Sequence, residues 1–299
     1  MSQIFDAIHR AEANHRGGDL SPVTAAPELL EVAERQHRSA QPQHKAQASI
    51  EGEPFSRLSF TGVHLAPFAM LVCVTNPESL AAEKFRYLGV RLRHLQQKRH
   101  VNCLLVTSSQ PGEGKSTVAA NLAATLGAAG QQKVLLLDGD LRCPALARLL
   151  GLQGLPGLTE WLKGGTSPTM NVCRLDLGFW LLPAGSSPEE PLALLQSDKL
   201  PDLIDRLKLW FDWIIVDSPP VLPLGDTSVW MRCTDATLLV TRTGQTERRQ
   251  LQLTLEALEQ AKVIGALVNE SVEAASKTYY SYYNSSKPQD SHPPDQLPQ

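Results

Sequence analysis

Ser109-Gln110-Pro111-Gly112-Glu113-Gly114-Lys115-Ser116-Thr117 lies between the apolar run Cys103-Leu104-Leu105-Val106 and an Ala-rich run from Val118 to Gly130. A buried strand that breaks into a Gly-containing turn and then a helix points several backbone N–H groups into one concavity at a positive helix end, where phosphates bind. This is the pattern of a nucleotide site. Lys115 is placed to reach the terminal phosphates as a point charge, and the Ser116 hydroxyl to hold Mg²⁺. The pattern G-x-x-x-x-G-K-[ST] is met at Gly114, Lys115 and Ser116, with Ser109 in place of its first glycine. The expected nucleotide contacts are Gln110, Pro111, Gly112, Glu113, Gly114, Lys115, Ser116 and Thr117.

Two further apolar runs end in acids. Val134-Leu135-Leu136-Leu137 leads into Asp138-Gly139-Asp140, and Trp213-Ile214-Ile215-Val216 leads into Asp217. Carboxylates at the end of a buried strand project near the carboxyl edge of a parallel sheet, where open α/β folds bind ligands. Mg²⁺ takes hard oxygen ligands or their waters, so Ser116, Asp138, Asp140 and Asp217 form the expected metal set. The bland alternative is that Asp138 or Asp140 caps the next helix. Asn269, ending the run from Val263, has a donor and an acceptor with which to read adenine, or to cap a turn.

Four of the five tyrosines, Tyr279, Tyr280, Tyr282 and Tyr283, fall in one short run near the C-terminus. The residues from Ser285 to Gln299 are polar and Pro-rich without a packing pattern, so these phenols are expected on a flexible end, exposed as phosphoryl acceptors.

The elements that must position these groups are strands alternating with helices, each crossover long enough for a parallel connection. That order gives an α/β fold, a mostly parallel, doubly wound sheet flanked by helices. Residues 1–76 read as an N-terminal arm, an amphipathic helix followed by a largely disordered linker. It opens with Ile4, Phe5, Ile8 and Ala11 on one helical face, which docks either on the protein's own core or on a partner or membrane surface. Residues 77–275 read as the catalytic domain and 276–299 as the tail. A helix from Pro77 to about Arg99 offers Leu80, Phe85, Leu88 and Leu92 for burial; its arginines form a solvated face or a basic contact with a neighbour.

Composition narrows the chemistry. The net charge of −3 over 299 residues supplies no global field to recruit nucleic acid. Five scattered cysteines fit reduced thiols in the cytoplasm, and no apolar run reaches the roughly 20 residues needed to span a bilayer. All eight histidines lie outside residues 101–285. A Ser-His-Asp triad or a His-ligated metal within that stretch is excluded, leaving Lys, Asp, Ser, backbone amides and a bound ion.

Taken together, Ser-Ser-Gln-Pro-Gly-Glu-Gly-Lys-Ser-Thr, Leu-Asp-Gly-Asp-Leu-Arg-Cys-Pro, Val-Asp-Ser-Pro-Pro-Val, Leu-Pro-Ala-Gly with the following Pro188 and Leu194-Leu195, and the tyrosine run resemble the bacterial tyrosine kinases of capsule and exopolysaccharide synthesis. The resemblance covers about residues 77–285. It implies a P-loop NTPase fold of the deviant-Walker kind shared with MinD and ParA ATPases, with ATP and Mg²⁺ as cofactors. It implies autophosphorylation of Tyr279, Tyr280, Tyr282 and Tyr283, catalysed by Lys115, Asp138, Asp140 and Asp217, with one of the first two acids receiving the phenol proton. It also implies a homo-oligomer activated by the cytoplasmic tail of a membrane chain-length-determinant (Wzz-like) protein, which would hold the chain at the inner face of the plasma membrane. A tyrosine phosphatase is a further implied partner. The opening Met-Ser-Gln-Ile-Phe-Asp-Ala-Ile is similar to that of some exopolysaccharide-linked members.

The chain departs from the family pattern in two places. In the family's subunit-packing motif E-x-x-R-x-x-R, Glu83 and Arg86 match but Gly89 replaces the last arginine. The partitioning ATPases carry an extra lysine early in the phosphate loop, where this chain has Gln110. The rival readings are an ATPase switch of that class without kinase activity, and a non-catalytic subunit that binds ATP.

Overall fold

A computed structural model describes residues 60–65, 70–128, 130–152, 154–164, 171–222, 225–258 and 262–270. The expected amphipathic start and the tyrosine run lie outside the described residues. Eight strands form one sheet: β1 (Phe60–Thr61), β2 (Cys103–Ser108), β3 (Val134–Asp138), β4 (Cys173–Leu175), β5 (Trp180–Leu182), β6 (Trp213–Asp217), β7 (Ala236–Arg242) and β8 (Val263–Asn269). Their spatial order is β1-β4-β5-β3-β6-β2-β7-β8. The six strands from β5 to β8 run parallel, while β4 pairs antiparallel with β5.

Every residue of β2, β3 and β6 is buried. That is why they read as continuous apolar runs rather than alternating ones: parallel strands inside a covered sheet have no wet face. On one face Leu104, Val106, Leu136 and Ile215 join a single core cluster with Val118, Leu122 and Leu126 of a helix. Their chain neighbours, such as Leu105 and Leu137, point to the opposite face. β8 is an edge strand with Ala266 and Val268 exposed.

The described helices, in chain order, are α1 (Val72–Thr75), α2 (Leu80–Arg99), α3 (Lys115–Gly127), α4 (Leu146–Leu149), α5 (Leu158–Leu162), α6 (Pro191–Leu195), α7 (Lys199–Lys208), α8 (Asp226–Cys233) and α9 (Arg248–Ala257). α3 is buried almost throughout, because its run of alanines lets strand backbones and α2 approach closely. α2 starts at Ser79, whose hydroxyl accepts from the Ala82 N–H at 3.2 Å, and ends at His100 in the left-handed region.

Burial on α2 differs from the expected set. Leu92 is buried as expected, but Leu80, Phe85 and Leu88 are only half-buried, and Ala82 and Gly89 complete the buried positions. Small residues occupy the contact because α3 lies so near: a β-carbon on Gly89 would sit 3.1 Å from the Thr125 methyl and 3.7 Å from Leu126. The glycine that breaks the subunit-packing motif is thus a packing residue within this chain, and Arg86 pairs with Glu83 and donates to the Pro77 carbonyl. Residues ahead of Pro77 also join the core. Leu71 is fully buried, and Asn121 of α3 holds α1 by accepting from Cys73 N and donating to the Met70 carbonyl.

Candidate active site

The carboxyl ends of β2, β3 and β6 converge at one edge. Strand register sets Asp138 of β3 directly beside Asp217 of β6, and Asp217 beside Val106 of β2, which runs on to Ser108. The chain then turns through residues 109–114 into α3. Gly112 (φ 85°) and Gly114 (φ 91°) take left-handed conformations, which cost an L-residue about 1–2 kcal/mol. Ser108 Oγ donates to the Gln110 carbonyl at 2.7 Å. Glu113, almost fully buried, accepts from the Gln110 N–H at 2.9 Å and from the Thr246 hydroxyl. Gln110 also bonds Gln250 of α9. With the loop braced in this way, no described residue accepts from the N–H groups of Gly112, Glu113 or Gly114. Donors left unspent at a helix N-terminus are a cradle for phosphate oxygens.

Lys115, the first residue of α3, places Nζ 3.2 Å from Asp140 Oδ2. Burial works against its charge, but Asp217 and Asp140 outweigh that and hold its pKa above the ordinary lysine value. The acids are less comfortable. Burial, then the neighbouring Asp217 charge, pushes Asp138 well above the usual carboxylate range. Burial raises Asp217 to about 6, tempered by Lys115 and the Ser116 hydroxyl.

Hydrogen bonding separates the three acids. Asp138 Oδ2 accepts from the N–H groups of Ala145 (3.2 Å) and Leu146 (3.0 Å), while its Oδ1 is buried without a partner. Asp140 Oδ1 accepts from Cys143 N at 3.0 Å and its Oδ2 is on Lys115, so both its oxygens are spent within the protein. Neither oxygen of Asp217 meets full hydrogen-bond geometry with any group, although the Ser116 hydroxyl is near enough to ease its charge. One oxygen of Asp138 therefore caps the start of α4 while the other is left unspent.

Buried carboxylate oxygens left orphaned beside a hydroxyl and a lysine are costly unless something else pairs with them, and hard oxygens suit Mg²⁺. The described residues bring no three His, Cys, Asp or Glu side chains close enough to enclose an ion. Mg²⁺ keeps waters and substrate phosphate oxygens in its shell. Ser116 and Asp217 are the residues that would hold it.

The structure places Asn269 on the phosphate loop. Its Nδ2 donates to the Glu113 carbonyl at 3.1 Å, and its Oδ1 accepts from Glu270 N. Several residues escaped the sequence reading. Arg142 makes a two-pronged pair with buried Asp226 (2.7 and 3.0 Å) that holds the exit of the Asp140 turn to α8. Gly139 lies under Trp230, whose indole N–H donates to its carbonyl at 3.1 Å. A β-carbon on Gly139 would meet that ring at 2.8 Å. Arg142 and Asp226 are 84 residues apart, and nothing local links them. Arg242 did carry a signal, since it ends an apolar strand just as Asp138 and Asp217 do.

With this geometry in hand, the chain is 33% identical over 220 residues to the tyrosine-protein kinase YwqD of Bacillus subtilis, covering 71% of this chain and 90% of that one. The chain belongs to the bacterial tyrosine-protein kinases. The kinase domain of Escherichia coli Etk superposes on this kinase with a TM-score of 0.66 at 31% sequence identity, covering 74% of this chain and 86% of that one. By sequence the kinase is 33% identical to Etk of E. coli K12 over 214 residues, 71% of this chain but only 29% of Etk. The family model described as ParA, NUBPL iron-transfer P-loop NTPase, matches residues 99–246, which contain the loop and all three acids. Among the described residues no helix is long and apolar enough to cross a membrane.

Proposed function

We propose that this kinase transfers the γ-phosphoryl group of ATP to tyrosines of its own C-terminal segment, Tyr279, Tyr280, Tyr282 and Tyr283. The observation that carries this reading is the set of unspent groups at one sheet edge, three loop amides and the orphaned oxygens of Asp138 and Asp217, gathered beside Lys115 where it pairs with Asp140. The amides and Lys115 bind and orient the β and γ phosphates. A bound Mg²⁺ supplies neutralisation of phosphate charge. The tyrosine oxygen forms a bond to the γ phosphorus as the bond from that phosphorus to the ADP oxygen breaks. The phenol proton passes to Asp138, which has a free oxygen and a raised affinity for protons, whereas Asp140 is held by Lys115. A free phenol has a pKa of about 10, but a largely dissociative transition state asks little of the nucleophile, so positioning and charge neutralisation do most of the work.

Position supports a self-acceptor. Glu270, the last described residue, ion-pairs with Arg242, which touches the loop at Gly112. Tyr279 is nine residues further on, a reach of at most about 30 Å, enough for this site or a neighbour's. Each phosphate would add about −1.5 to −2 charge to residues 276–299, setting that segment against the acidic site and releasing it. By the motifs shared with the capsule and exopolysaccharide kinases, the kinase would regulate polymer assembly and export at the inner face of the plasma membrane. It would do so in contact with the cytoplasmic tail of a chain-length-determinant protein, as a homo-oligomer, with a tyrosine phosphatase reversing the modification.

The test is phosphosite mapping of the full chain incubated with Mg²⁺ and ATP, beside Lys115→Met. Phosphate is expected on the four tyrosines, reduced at least about 10³-fold in the variant. Modification confined to other residues, or equal modification in the variant, would overturn the proposal. Inorganic phosphate released with none retained would point to an ATPase switch.

A further inference from the structure

Two carbonyl groups of the phosphate loop are held from outside the loop, both by residues at the ends of the last two strands. Arg242, closing β7, donates from Nη1 to the Gly112 carbonyl at 3.1 Å. Asn269, closing β8, donates from Nδ2 to the Glu113 carbonyl at 3.1 Å. A trans peptide fixes its C=O and the following N–H in one plane, pointing in opposite directions. Holding the Gly112 carbonyl outward therefore turns the Glu113 N–H the other way, and holding the Glu113 carbonyl does the same for Gly114 N–H. These are two of the three amides with no acceptor among the described residues.

Left-handed glycines at 112 and 114 make such anchoring necessary. Glycine adopts positive φ without steric cost but adopts other conformations as readily, so nothing within the loop's own covalent geometry keeps these peptides oriented. Arg242 is itself fixed. Its Nε donates to Glu270 Oε2 at 2.8 Å and its Nη2 pairs with the same carboxylate, while its backbone N–H donates to Thr246 Oγ1 at 2.9 Å. The Thr246 hydroxyl in turn bonds Glu113.

We infer that Arg242 is a positioning residue for nucleotide binding, acting through the Gly112 carbonyl on the Glu113 N–H, with Glu270 setting where the guanidinium stands. One planar fork serves two acceptors at once from nitrogens held apart; a lysine has to serve both from a single ammonium nitrogen with no fixed direction. Glu270 is also where the chain leaves β8 toward the tyrosines. The consequence that pulling or repelling that segment slackens the phosphate loop rests on the acceptor role proposed above, whereas the positioning itself does not.

The test is titration of the full chain with Mg²⁺ and ADP by calorimetry, beside the thermal midpoint of the nucleotide-free protein. Arg242→Ala is expected to weaken ADP binding about 10-fold, Arg242→Lys about 5-fold and Glu270→Gln about 3-fold, in line with the loss of charge-assisted hydrogen bonds. A merely structural residue would lower the midpoint and leave the dissociation constant of the folded protein alone. ADP affinity within twofold of the parent in Arg242→Lys and Glu270→Gln overturns the inference, and these two milder variants decide it if Arg242→Ala does not fold. Neither measurement involves tyrosine modification, so this inference and the acceptor reading fail separately.

Discussion

The two flanks of the phosphate loop are built on opposite terms. On the β3–β6 flank, buried carboxylates face one another with three oxygens unpartnered, and their proton affinities are raised accordingly. On the β7–β8 flank, the polar side chains of Arg242, Thr246, Asn269 and Glu270 engage one another or the loop. The first flank is held in an unfavourable state that a cationic ligand would relieve; the second is already satisfied and shapes the loop between them. Unspent polar groups mark where something binds, and spent ones mark what holds the binder in shape.

Asp217→Asn tests that division hardest. An amide cannot supply the anionic oxygens an ion needs, so phosphoryl transfer is expected to fall at least about 10³-fold, measured as tyrosine phosphorylation at saturating ATP. The nucleotide-free protein should become more stable in the same variant, by on the order of 1–3 kcal/mol at neutral pH, because a buried charge has been removed. The sign follows from linkage. The folded carboxyl keeps its proton up to about pH 6, while an unfolded one releases it near pH ~3.9. The parent therefore loses stability as pH rises from about 4 through about 6, and the full penalty stands above that. Chemical denaturation of both proteins at pH 5 and pH 8 reads it directly: the stability gap should widen at the higher pH. A variant less stable than the parent at pH 8 would break the comparison.

How much of this was legible beforehand follows the same division. The acid flank and the loop are local in sequence: an apolar run ending in Asp, or a glycine turn before Lys-Ser, announces both its element and its chemistry. β2, β3 and β6 consequently fall where their apolar runs do, and so does the strand closing on Asn269. What stayed hidden is long-range. Arg142 with Asp226 and Thr246 with Glu113 are side-chain meetings created by strand order, and no spacing rule reports them. Gly89 shows the complementary failure. Read as a missing arginine, it is explained only when α3 is seen packed against it. The half-burial of Leu80, Phe85 and Leu88 has the same origin, since helix periodicity finds a face but not how closely its partner approaches.

The satisfied flank is tested next by Gly114→Ala. The new methyl would collide with Asn269 Nδ2, and the backbone at φ 91° is unfavourable for any L-residue. The Asn269 side chain can swing away, but only by releasing the Glu113 carbonyl. ADP affinity should fall about 10- to 30-fold, while the thermal midpoint of the nucleotide-free protein drops by a few degrees. If the affinity were kept while Asn269 was displaced, the β7–β8 flank would be scaffolding with no bearing on the loop.

Ser109 gives the smallest effect and the finest distinction, because it stands between the flanks, in the place of the pattern's first glycine. Its hydroxyl is fully buried and has no partner, the one orphaned side chain on the loop itself. If unspent groups mark ligand positions, this hydroxyl should behave like the acids in miniature. Ser109→Ala then relieves a buried, unpaired dipole, stabilising the nucleotide-free protein by up to about 1 kcal/mol, and removes one contact from the bound state. The expected result is a thermal midpoint a few degrees higher together with ADP binding about threefold weaker. A higher midpoint with unchanged affinity would place Ser109 with neither flank. Its orphan hydroxyl would then be a standing cost with no ligand to offset it, and the rule that separates the two flanks would stop at charged groups.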